Sequence, residues 1–88
     1  MDKKKLLEMQ VKDFNERVLA ISKENPDLRV KTATRSMYGD YVEQMKTIFP
    51  ENEEVKNLSE ITGVVITYAD LSNLVGQLAA LLDFLLKE

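Results

Sequence analysis

The sequence predicts an all-α fold: a three-helix domain with a long C-terminal helix as its spine, completed by oligomerisation. Three observations predict it. From Ile61 to Leu85 apolar residues recur in alternating steps of three and four: Ile61, Val64, Tyr68, Leu71, Val75, Leu78, Leu82, Leu85. That spacing puts eight side chains on one stripe of an α-helix. A second stripe runs through Leu7, Val11, Phe14, Val18 and Ile21. Finally, the two prolines, Pro26 and Pro50, stand between the periodic segments and divide the chain into three.

The first helix is expected over about residues 2–24. Lys12, Asp13, Glu16, Arg17, Lys23 and Glu24 fall mostly off its apolar stripe. Glu8 to Lys12 and Asp13 to Arg17 are acid-before-base pairs four apart, each worth a few tenths of a kcal/mol. Lys3, Lys4 and Lys5 oppose the helix dipole, so the first turn should fray. Asn25-Pro26-Asp27 stops this helix, because proline disfavours helical backbone at the residue before it.

Leu28 to Thr34 reads two ways. Leu28, Val30, Thr32 and Thr34 alternate with Arg29, Lys31, Ala33 and Arg35, as in a strand. An irregular helix with Val30, Ala33 and Met37 inward fits as well. From Ser36 to Phe49 the helical spacing returns through Tyr38, Tyr41, Met45 and Ile48, with Asp40 as another possible start. Pro50 ends that helix. The polar stretch 50–58 has room for one helical turn.

The last helix is expected from Ser59 as N-cap to about Lys87. The β-branched run Ile61 to Thr67, with Gly63 inside it, supports an alternative. There Thr67 and Asp70 form a capping box, the helix starts at Tyr68, and residues 63–67 form a strand paired with 28–34. That alternative is an α+β fold of order α-β-α-β-α. The unbroken stripe through Ile61, Val64 and Tyr68 favours the continuous helix.

With 88 residues the chain is a single small domain, 1–88. Domains of this size are marginal alone, which makes a homo-oligomer, most simply a homodimer, an expected state. The apolar stripe 61–85 is the expected subunit seam. Net charge is −3 and hydrophobic residues make up 44%. A small acidic protein of this composition is neither disordered nor a polyanion mimic.

There is no Cys and no His. Disulfides, thiol catalysis, zinc ligation by thiolate or imidazole, and a histidine general base are therefore excluded. A cytoplasmic location fits the missing Cys. The apolar residues after Lys5 are broken by Glu8, Lys12 and Asp13, so no signal peptide is expected. Asp70 and Asp83 interrupt the C-terminal stretch, so no membrane span is expected either.

No glycine-rich phosphate loop, EF-hand or other cofactor signature occurs, and no cofactor or metal is expected. Glu51, Glu53 and Glu54 read as a solvated loop. One segment offers a ligand site. No acid lies between Asp27 and Asp40, while Arg29, Lys31 and Arg35 stand among hydroxyl residues and Tyr38 and Tyr41. Guanidinium forks, hydroxyls and aromatic faces hold phosphates and stack bases. The simpler reading puts both tyrosines in the core and pairs the cations with Glu51 to Glu54.

The function expected from these features is that of a small non-enzymatic interaction protein: a regulator, adaptor or inhibitor acting through helical surfaces. The alternative is a nucleotide- or nucleic-acid-binding module using Arg29, Lys31, Arg35, Tyr38 and Tyr41. An enzyme is not expected, since the usual catalytic groups are missing.

Overall fold

The computed structural model describes residues 2–58 and 66–87, and these are mostly helical. Four helices follow one another: α1 (Lys3–Glu24), α2 (Thr32–Ile48), the short α3 (Glu53–Lys56) and α4 (Tyr68–Leu86). The all-α class is as the periodicity requires. The number and lengths of the helices differ from expectation: α1, at 22 residues, is longer than α4, at 19.

α1 forms where its stripe predicts. Leu7, Val11, Phe14 and Val18 are buried. Its start is better held than a run of three lysines suggests, because the Asp2 carboxylate accepts the Lys4 amide at 3.0 Å. A side-chain cap of this kind contributes about 1 kcal/mol. Asp13 and Arg17 pair at 3.1 Å on the solvent side, where such pairs add little. The helix ends at Glu24, one residue ahead of the Asn25-Pro26 stop.

The continuous helix from Glu60 is corrected. Thr67 has extended backbone (φ −96°, ψ 166°) and caps α4, which starts at Tyr68. The Thr67 hydroxyl accepts the Asp70 amide at 3.4 Å, and the Asp70 carboxylate accepts the Thr67 amide at 3.3 Å. This reciprocal box satisfies two amides that a continuous helix would have bonded otherwise. The capping chemistry therefore outweighs the spacing at this boundary. Ser59, Ile61 and Val64 lie outside the described residues.

The strand alternative is corrected in part. Among the described residues there is no strand, only an antiparallel bridge between Arg29 and Thr67. Val30 donates to the Ile66 carbonyl at 2.9 Å, Tyr68 to Leu28 at 2.9 Å and Ala69 to Pro26 at 3.1 Å. These bonds clasp the chain after α1 to the start of α4. Residues 32–34, three of the seven in the first proposed strand, belong to α2 instead; residues 63–65 of the second lie outside the described ones.

α2 thus begins four residues before the expected Ser36, and Gly39 sits in its middle. A Cβ added at Gly39 or at Gly76 of α4 would meet nothing within 4 Å. Gly39→Ala and Gly76→Ala should therefore each stabilise the fold by roughly 0.5–1 kcal/mol, the ordinary helix-propensity gain. Urea unfolding of the two variants measures it, and a loss at either would show a close contact that one chain does not make.

One core joins all four helices: Leu7, Val11, Phe14 and Val18 from α1, Tyr38, Val42 and Met45 from α2, Val55 from α3, and Tyr68, Leu71, Val75, Leu78 and Leu82 from α4, with Val30 from the clasp. α1 and α4 pack most closely, and α2 touches both less intimately. Glu8 of α1 shares a surface depression with Leu85 and Leu86 of α4, so these two helices run antiparallel.

Candidate functional site

Five of the eight residues of the expected seam are covered within one chain, and Ile61 and Val64 lie outside the described residues. Tyr68, Leu71, Val75, Leu78 and Leu82 are at most 8% exposed within one chain. Leu85 is half-buried against the core. α1, laid antiparallel along this stripe, supplies the apolar cover that a second subunit was expected to give.

The basic segment divides along its length. Arg29 sits on the clasp and Lys31 caps α2, both exposed; Arg35, one turn into α2, is half-buried. Among the described residues no carboxylate lies within ion-pair distance of these three, and Glu53 pairs with Lys56 instead, at 3.6 Å. The pairing with Glu51 to Glu54 fails because α2, 17 residues or about 25 Å long, separates the two groups. The tyrosines pack inward. Tyr38 is 1% exposed, and the half-buried Tyr41 packs on Phe14 with ring centroids 5.3 Å apart.

Burial raises the pKa of the Tyr38 phenol above its ordinary 10.0. The unfolded chain then ionises first as the pH rises, so the contribution of this group is complete below pH 10 and is lost progressively above it. Tyr38→Phe should flatten the fall in urea stability between pH 9 and about 11, measured by helical circular dichroism. An unchanged slope would place the alkaline sensitivity elsewhere.

Open grooves lie between the described helices. One, of about 420 Å³, lies between the start of α1 and the end of α2, lined by Lys3, Leu6, Glu43, Gln44, Thr47 and Ile48. Leu6 is 42% exposed, and Lys4 lies 5.4 Å over the Phe49 ring beside it. Another runs between α1 and α4, where Gly76, Ala79 and Ala80 face Val11, Lys12 and Asn15. The space beside Gly76 is open. On the far side of α4, Phe84 is 57% exposed next to Leu81 and Glu54.

Sequence reasoning missed the α1–α2 groove. The signal was present in Leu6, an apolar residue one step off its stripe, and in Ile48 at the end of its own, but which helix faces meet is not written in one helix's periodicity. Among the described residues no three carboxylates converge as metal ligands. By length and a mean hydropathy of 1.3, α4 alone among the described helices resembles a membrane span, a property that core helices share. Compared with protein-family models, with curated proteins and with solved structures, the chain matches none.

Proposed function

We propose that this is a small non-enzymatic interaction protein, a regulator, adaptor or inhibitor, that works through its helix surfaces as a homo-oligomer. The observation that carries the reading is the surplus of apolar surface after the core is complete. Leu6, Met9, Met37 and Phe84 remain between 41% and 59% exposed. Covering what is still exposed of one such side chain gains about half the full-burial value, roughly 1 kcal/mol, so these faces favour a macromolecular contact. Scattered single residues would mean little, but Leu6 borders an open groove and Phe84 a second depression.

Photo-crosslinking residues placed at Leu6, Met37 and Phe84, in cells that make the protein, test it. A product of defined mass is expected from at least one of these positions and not from the exposed Glu16. Absence of any such product at all three would overturn the reading.

A second reading rests on Arg29, Lys31 and Arg35, which have no carboxylate partner among the described residues. We infer a site for a phosphate-bearing ligand, a nucleotide or nucleic acid, in which these cations supply the affinity. The burial of Tyr38 removes one stacking surface, so the charges dominate. Binding of a single-stranded oligonucleotide should then weaken steeply as salt rises and drop in Arg29→Ala and Arg35→Ala. Binding indifferent to both would exclude it.

A further inference from the structure

The groove between the start of α1 and the end of α2 fits a second copy of this chain, and we propose that it is the face through which two copies pair as an isologous dimer. This rests on the oligomeric part of the reading above and gives it a place, away from the α4 stripe.

The feature that chooses this occupant is charge. Lys3 stands on the α1 rim of the groove and Glu43 on the α2 rim, and among the described residues neither is in an ion pair. A rim of one sign repels its own copy, whereas rims of opposite sign complement themselves. A two-fold axis through the groove brings Lys3 of each copy towards Glu43 of the other, the reciprocity that such interfaces require. The depression beside Phe84 lacks this property, because its one charged lining residue is Glu54.

Between these rims the floor of the groove is apolar, with Leu6 from α1 and Ile48 from α2. Leu6 is 42% exposed, and Met37, further along α2, is 41% exposed.

The experiment is light scattering behind a sizing column across protein concentrations, on the wild type and on Lys3→Glu, Glu43→Lys and the double swap. The wild type should approach twice the 10.1 kDa of one chain. Each single swap should weaken the dimer about tenfold or more at low salt, and the double swap should restore it. Lys3→Glu places an acid at a helix N-terminus, which favours α1, so its weaker dimer cannot come from a weaker helix. Leu6→Asp should give a monomer with unchanged helical circular dichroism, while Phe84→Asp, off this face, should leave the dimer intact. A wild type monomeric at every concentration would overturn both this face and the homo-oligomer. A dimer that survives Leu6→Asp and both single swaps, or that Phe84→Asp breaks, would overturn the face alone. Single swaps that weaken without rescue would overturn the reciprocal pairing.

Discussion

Replacing Leu78 with Ala is expected to remove about 3 kcal/mol of stability, within the 2–5 kcal/mol range of buried Leu-to-Ala changes. Leu78 is fully buried at the middle of α4, the helix that packs most closely on α1. The loss combines the transfer free energy of the deleted atoms with the cavity they leave. A chain of 88 residues has a total stability of roughly 4–13 kcal/mol. The change should therefore lower the thermal midpoint by about 12–24 °C. Exposed Leu19→Ala, at 43% exposure on α1, is the control and should move the midpoint by only a few degrees. A Leu78→Ala midpoint no lower than that of the control would mean that the α1–α4 packing is not what holds the fold.

Val55→Asp is expected to be costlier still at neutral pH. α3 has four residues, too few to persist by its own hydrogen bonds. Two things hold it: the Asn52 side chain accepts the Val55 amide at 3.0 Å, and the Val55 side chain is fully buried. A carboxylate in that place has no charged partner, a defect on the order of 3–5 kcal/mol. Burial would lift its folded pKa above the unfolded value of about 3.9. A group so shifted keeps its folded-state contribution below the unfolded pKa and loses it as the pH rises through the folded pKa. The penalty relative to wild type should thus be smaller at pH 4 than at pH 7, in paired urea titrations. Val55→Asn, which does not titrate, should show no such difference. Equal penalties for Asp at both pH values would show that position 55 turns out to solvent.

How far the sequence led can be judged from single residues. Leu7, Val11, Phe14 and Val18, and then Tyr68, Leu71, Val75, Leu78 and Leu82, were legible as core stripes because helical periodicity is local and these helices are amphipathic. The stripe could not say where its helix begins. Ile61 and Val64 keep the spacing, yet Thr67 and Asp70 cap the helix after them, because a box of two hydrogen bonds is decided by four residues and periodicity by twenty. Nor could it say what covers it: partner choice depends on how three faces meet, and α1 met this one first. α2 was read four residues short because Thr32 to Thr34 suits strand and helix alike, and the backbone bonds from Leu28 and Val30 to the start of α4 tie down only the residues before it. Of the candidate ligand segment, the open cations were legible as a charge pattern. The inward turn of Tyr38 was not, since an aromatic residue on a stripe fills a core and lines a site with the same spacing.

The clasp between residues 26–30 and 66–69 has a consequence for the order of events in folding. Arg29 and Thr67 meet across roughly 40 residues of intervening chain, and closing such a loop costs on the order of 3 kcal/mol in chain entropy beyond a constant. Four helices of local hydrogen bonds suggest a molecule that assembles from neighbours outward, yet its two best-packed helices, α1 and α4, come from opposite ends of the sequence. Their meeting is one long-range encounter, and the amides of Val30, Tyr68 and Ala69 are bonded only once it has happened. Those three amides are thus the clock of the fold: their protection from hydrogen exchange dates the moment at which the two ends of the chain became one core.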